Sequence, residues 1–149
     1  MIDFTIETRI DRSPGEVFAY VTDPAKLGTW QTNTVAAEKL GDQPLGLGTR
    51  LREVHRAPGG KELESLLEVS EYEPGRVFAL QVIEGTPVDL RITFAPDGDC
   101  TVMRFKAYGR LNGPLRLLQP LLGRTLERQF KRQCATLKGL LESAAPAHC

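Results

Sequence analysis

The stretch IDRSPGEVFAYVTDPAKLGTWQ, residues 10–31, carries two helix starts in quick succession. Ser13 has Glu16 three residues on, a capping box, and Pro14 takes the first helical position, where its missing N–H costs nothing. The spacing predicts a helix running to about Tyr20. Asp23-Pro24 repeats the start, and Gly28 is expected to stop a second helix after about one turn. With its caps and turns assigned, Val17, Phe18 and Val21 fall to packing, and Trp30, the single Trp of the chain, closes the stretch.

On either side of these helices the pattern is that of strands. Before them, Ile2, Phe4, Ile6, Thr8 and Ile10 share one face and Asp3, Thr5, Glu7 and Arg9 the other. After them, strands are expected at 49–56, 61–72, 76–84, 88–94 and 100–111. They are separated by Ala57-Pro58-Gly59-Gly60, Glu73-Pro74-Gly75, Gly85-Thr86-Pro87 and Pro96-Asp97-Gly98-Asp99. One face of each strand reads as wet and one as buried, which calls for a single antiparallel sheet. From Pro114 to Glu142 the period becomes helical. Leu115, Leu118, Leu122, Leu126, Phe130, Leu137 and Leu141 form a stripe that misses a step near Gln133-Cys134, and Pro120 is expected to kink or split its start. A long apolar stripe needs a surface to cover, and the sheet's buried face supplies it. The expected fold is α+β: a curved antiparallel sheet wrapped around a long C-terminal helix, with two short helices closing one end. Residues 1–143 read as one domain and 144–149 as a disordered tail.

That order of elements, with IDRSPGEVFAYVTDPAKLGTWQ, GLGTRL (46–51), EVSEYEPGRVFAL (68–80) and CATLKGLLE (134–142), resembles the START-like superfamily with its helix-grip fold, in particular the polyketide cyclase/dehydrase and lipid-transport branch. The resemblance implies a cavity between sheet and long helix that takes an apolar or amphipathic small molecule. None of the matching pieces is a catalytic motif, and the superfamily includes carriers, sensors, cyclases and co-chaperone-like proteins.

The residues that can carry chemistry sit on the 49–56 strand. If Arg50 pairs with Glu68 and Arg56 with Glu62, opposite charges line up on the wet face. Leu51, Glu53 and His55 then face inward against Leu63, Ser65 and Leu67. Burial would raise the Glu53 pKa, and the neighbouring carboxylate is expected to favour His55 as a cation. Together they make a candidate acid/base pair for enolisation, dehydration or aldol closure; the plainer role is hydrogen bonding to ligand or water. A one-residue slip would send both to solvent and bring Arg52, Val54 and Arg56 inward, at the cost of burying two arginines. Trp30 either plugs the end of the core or lies against the ligand with its N–H near Glu53. Phe78, Leu80, Val82, Leu90, Ile92, Met103 and Phe105 are expected to line the sheet wall of the cavity, and Leu118, Leu122 and Leu126 the helix wall.

Composition narrows the rest. The 149 residues hold 19 basic and 19 acidic side chains, which argues against nucleic acid as a partner. Two histidines and three scattered cysteines give no metal-ligand spacing, no nucleophile triad or P-loop appears, and no cofactor is implied. GLGTR (46–50) is a turn entering a strand. The N-terminus lacks the run of a signal peptide, and free thiols and a cytoplasmic location are expected. PLRLLQPLLG (114–123) also carries Leu117 and Leu121, so it is apolar on more than one side, and a run of basic residues follows it. It is either a well-packed helix start or a leucine-rich gate for transient membrane contact or a homodimer. The sequence favours a non-catalytic binder or carrier of a hydrophobic small molecule such as a lipid, isoprenoid or polyketide. A cyclase/dehydratase using Glu53 and His55 is the second reading, and an interaction module built on 114–123 the third.

Overall fold

The computed structural model describes residues 1–57 and 59–143, with only the backbone of Leu115. Seven strands form one antiparallel sheet in the order β1-β7-β6-β5-β4-β3-β2. They are β1 (Ile2–Ile10), β2 (Thr34–Leu40), β3 (Arg50–Arg56), β4 (Glu62–Glu73), β5 (Val77–Glu84), β6 (Val88–Asp97) and β7 (Cys100–Gly109). Among the described residues three helices accompany the sheet: α1 (Pro14–Val21), α2 (Leu27–Trp30) and α3 (Gln119–Glu142). Short 3₁₀ segments precede α2 at Pro24–Lys26 and α3 at Gly113–Leu118. This is the helix-grip arrangement.

Both expected caps form, Ser13 at α1 and Asp23 at the 3₁₀ segment that leads into α2. Ser13 Oγ accepts the Glu16 N–H at 3.4 Å, and Asp23 Oδ1 accepts the Ala25 N–H at 3.0 Å. Gly28 does not end the second helix: it lies inside α2 with no left-handed φ. A Cβ there would lie 3.5 Å from the Thr34 carbonyl oxygen, an ordinary van der Waals distance, so the packing does not require glycine at this position. β2 follows, a strand for which TVAAEKL gives no clean alternation; it is an edge, with its register broken between Thr34 and Ala36. Between β4 and β5 the Arg76 N–H donates to the Glu73 carbonyl at 2.9 Å, and Gly75 sits at φ 76°. Pro74-Gly75 thus makes the type II turn that needs glycine at its third position.

α3 closes the sheet. Its inner face places Leu122, Leu126, Phe130, Cys134, Leu137 and Leu141 against the core, with Phe130 packed on Phe105 (centroids 4.9 Å apart) and Phe4 (6.0 Å). The missing step of the stripe is filled by buried Gln133 and Cys134. Gln133 Nε2 donates to Asn33 Oδ1 at 2.8 Å, and the Arg12 side chain and Asp11 N–H hold the far end through the Leu141 carbonyl and Glu142. Pro120 splits the predicted helix: α3 starts at Gln119, and the 113–118 segment winds as a 3₁₀ helix. The tighter winding turns Leu118 outward, 55% exposed, so it does not form a helix wall as expected.

The cysteines bear out one expectation and change another. Cys134 is free and buried, and burial pushes its thiol up to about 11. Cys100, expected to be free, is disulfide-bonded, because the fold rather than sequence spacing decides which sulfurs meet. Pro58 and the expected tail, 144–149, lie outside the described residues.

The end of the β6–β7 hairpin supplies a stability test. A Cβ on Gly109 would collide with the Pro87 carbonyl oxygen, whereas one on Gly15 would meet nothing within 4 Å. Gly109→Ala is expected to destabilise by about 1–3 kcal/mol through overpacking against backbone. Gly15→Ala, in helical backbone, is expected to stabilise by about 0.4–1 kcal/mol. Urea unfolding of both variants against wild type checks the contrast.

Candidate functional site

The register of β3 on β4 determines what the sheet presents inward. Arg50 lies opposite Glu68, Glu53 opposite Ser65 and Arg56 opposite Glu62, which is the inward-facing alternative of the two considered. On the outer face Arg50 meets Glu68 at 3.3 Å, and Arg52 meets Glu64 at 2.7 Å and Glu38 of β2 at 3.5 Å. Leu51 and Glu53 are buried on the inner face, with His55 half-buried beside them. GLGT delivers the chain into this strand: the Thr49 hydroxyl accepts the Gly46 N–H, and the Thr49 carbonyl accepts the Val69 N–H of β4.

Glu53 is 6% exposed, and its Oε1 lies 3.0 Å from His55 Nε2. Burial pushes the Glu53 carboxyl up to about 7 and lowers the His55 imidazole from its usual value. The expectation of a cationic His55 is therefore corrected: desolvation disfavours charge on both groups. The Glu53 carboxyl therefore gains and loses its proton near neutral pH, beside an imidazole favoured in its neutral form, and a proton can be shared across the 3.0 Å contact. A group poised in this way can donate a hydrogen bond to a carbonyl or hydroxyl, or pass a proton to it.

Beside Glu53 lies a cavity of about 30 Å³, lined by Leu51, Glu53, Phe78 and Leu80 from the sheet. Val21, Thr22, Asp23, Pro24 and Leu27 from the α1–α2 region and Ala37 and Glu38 of β2 complete the wall. It has room for about two waters. Sequence periodicity identified the four sheet residues. The opposite wall was assigned to caps and packing, and Ala37 lies on the unrecognised strand. No residue of α3 lines this cavity, so Leu118, Leu122 and Leu126 are not part of it. Met103, Phe105, Ile92 and Leu67 are buried in the core, and Ser65, Val82, Leu90, Leu122 and Leu126 are half-buried around it. Tyr72 packs its ring against Phe18 and Phe78.

Trp30 is 1% exposed in the core cluster and does not line the cavity, the plug alternative of the sequence reading. Its Nε1 and Gln133 Oε1 are, among the described residues, the buried side-chain polar atoms without a hydrogen-bond partner. Each such group costs about 1–3 kcal/mol of desolvation. No group of three or more His, Cys, Asp or Glu among the described residues is arranged to hold a metal, and no helix there is long and apolar enough to cross a membrane.

Residues 1–142 match the family model described as polyketide cyclase/dehydrase and lipid transport. No curated protein matches. Among solved structures, TTHA0849 from Thermus thermophilus shares 21% identity, with 96% of this chain and 99% of that one covered and a TM-score of 0.80. A START superfamily protein from Mycobacterium smegmatis shares 18%, covering 95% and 97%, with a TM-score of 0.73. The Aha1 dimer from Colwellia psychrerythraea shares 15%, covering 97% and 99%, with a TM-score of 0.68. At these identities the likeness concerns the fold.

Burial of Glu53 has a measurable consequence for stability. Its native carboxyl, at about 7 against an ordinary 4.5, binds a proton more tightly than the unfolded one. Its contribution is complete below pH 4.5 and lost as pH rises to about 7, an interval that converts to at most about 3 kcal/mol. His55 acts in the opposite sense: its contribution is present above its usual value and lost on acidification. Glu53→Gln cannot titrate, so wild type should lose stability relative to this variant between pH 4.5 and 8 in chemical denaturation. A constant difference across that range would show a solvated Glu53 carboxyl.

Proposed function

Because the chain belongs to the polyketide cyclase/dehydrase and lipid transport family, we propose that it binds or carries a hydrophobic or amphipathic small molecule, its polar group met by Glu53 and His55. The observation that carries this reading is the Glu53 carboxyl, which lines the cavity with Leu51, Phe78 and Leu80 and lies 3.0 Å from the His55 imidazole behind it. A buried ionisable pair costs stability unless it has a use, and apolar walls with a few convergent polar groups are the usual make-up of small-molecule sites. Lipid, isoprenoid and polyketide-like molecules all present an apolar body with a hydroxyl or carbonyl for the pair to engage.

The described cavity is far smaller than the roughly 300 Å³ at which ligand pockets begin. Binding on this reading therefore displaces wall side chains. The yielding wall is the one built from Pro24–Lys26 and four-residue α2, which are too short to be stable alone. Trp30 ends that segment, so its emission reports the displacement.

A second reading rests on the shared proton. If the bound molecule carries a carbonyl, Glu53 and His55 can move a proton to and from it, as an enolising or dehydrating enzyme requires. The two readings separate on what is recovered: a carrier returns its ligand unchanged, whereas an enzyme converts it and loses turnover in His55→Ala.

Native mass spectrometry, followed by titration with fatty acid, prenyl alcohol and aromatic polyketide probes, tests the proposal. One probe class should bind with a shift in Trp30 emission. Ala37→Trp, which fills the cavity from its half-buried β2 wall, should weaken that binding by about tenfold or more. Retention of none of the three classes, or binding unaffected by Ala37→Trp in a folded variant, would overturn it.

A further inference from the structure

Outside the candidate site, the most unusual surface of the molecule is the start of α3. Leu117 is 87% exposed, Leu121 67% and Leu118 55%, three leucines within five residues. Leu121, Arg124 and Arg128 follow one another at three- and four-residue steps and are all exposed, so they form an outward stripe on the side of α3 away from the sheet, and Leu117 and Leu118, also exposed, end the 3₁₀ segment just before it. The stripe begins apolar and continues basic. Its charge is also one-sided: from Arg110 to Leu126 the sequence holds three Arg and no Asp or Glu, in a chain whose net charge is zero. Arg104 pairs with Glu7, and further along the helix Lys131 pairs with Glu127. Among the described residues Arg110, Arg116, Arg124 and Arg128 have no ion-pair partner, nor do Arg56, Arg76 and Arg132, whereas Arg9, Arg12, Arg50, Arg52, Arg91 and Arg104 are paired.

We propose that this leucine tip and its arginines dock the protein on an anionic lipid bilayer. Leucines exposed at a 3₁₀–helix junction suit a deformable surface better than a complementary protein face, which would have to enclose them in a pocket. At 1.5 Å per residue, Arg124 and Arg128 lie about 4 and 10 Å along the axis from Leu121. With the leucines at the acyl boundary, the guanidinium groups fall at phosphate depth, where anionic headgroups supply the missing counter-charges. The proposal does not depend on what the cavity holds, because docking uses the opposite face of α3 and is measured without a bound small molecule.

Co-sedimentation with phosphatidylcholine vesicles, with and without phosphatidylglycerol, tests it. Wild type should bind the phosphatidylglycerol vesicles, and binding should weaken as salt is raised. Leu117→Glu/Leu121→Glu should bind about tenfold less or weaker still, with unchanged circular dichroism and melting temperature, since both side chains are exposed. Arg124→Gln/Arg128→Gln should keep the fold and lose much of the preference for phosphatidylglycerol. Failure of wild type to bind at low salt, or equal binding by the double glutamate variant, would overturn the proposal. So would a dimer in sedimentation equilibrium that the leucine substitutions dissolve, since the patch would then be an interface between two copies.

Discussion

The register between β3 and β4 is the constraint on which the site depends. β3 carries arginine at 50, 52 and 56, and a strand shows its two faces to different media. A one-residue slip would bury Arg52 and Arg56 in the apolar interior and expose Leu51, a cost far above anything the exposed ion pairs contribute. The pairs to Glu68, Glu64 and Glu38 are each worth little, as half-exposed bridges generally are. Their importance lies in the alternative they close off. Once the arginines face water, Glu53 and His55 face the interior, and the perturbation of both groups follows from position alone.

A carboxyl and an imidazole placed in this way stabilise nothing by being charged. Desolvation raises one and lowers the other, so burial favours the neutral form of each group. The surrounding packing is as tight as an ordinary core, with Phe18 edge-on to Tyr72, Phe78 and Phe94 at centroid distances of 5.3–6.3 Å. The fold thus places the Glu53 carboxyl, hydrogen-bonded to His55, beside a gap for about two waters, behind a wall of two very short helical segments. Affinity for an apolar molecule then depends on the difference between packing against ligand and packing against neighbouring side chains. That favours ligands bulky enough to recover the displaced contacts.

Much of this arrangement was legible because it is local. Ser13 and Asp23 announce their helices through hydrogen bonds that span two or three residues, and the charge alternation of β3 and β4 fixes their pairing without reference to the rest of the fold. What the sequence concealed depends on longer range. β2 is an edge whose TVAAEKL has no strong period, because its faces are incompletely covered. Pro120 announced a break in the helix without saying which side would remain α-helical, and the 3₁₀ winding before it sent Leu118 outward. The charge of His55 depended on whether attraction or desolvation prevailed, which is a question of burial depth. The cavity moved from the α3 interface to the α1–α2 end because Phe105 and Phe130 fill the former, a matter of side-chain volume to which periodicity is blind.

The two faces of α3 show how one segment meets two unrelated demands. Its inner positions, Leu122, Leu126, Phe130, Cys134, Leu137 and Leu141, recur at three- and four-residue steps and are needed to cover the sheet. Nothing in that requirement dictates the outer positions, where fold stability would be served equally well by alternating charges with i,i+4 pairs, as at Glu127–Lys131 and Lys138–Glu142. The first turns depart from that solution, placing leucines where they gain no burial and arginines where they find no carboxylate. Exposed leucines favour association and unpaired arginines repel one another, so the combination is unfavourable in the isolated protein on both counts. It becomes favourable where an apolar layer and a sheet of negative charge lie within about 10 Å of each other, which is the cross-section of an anionic membrane surface.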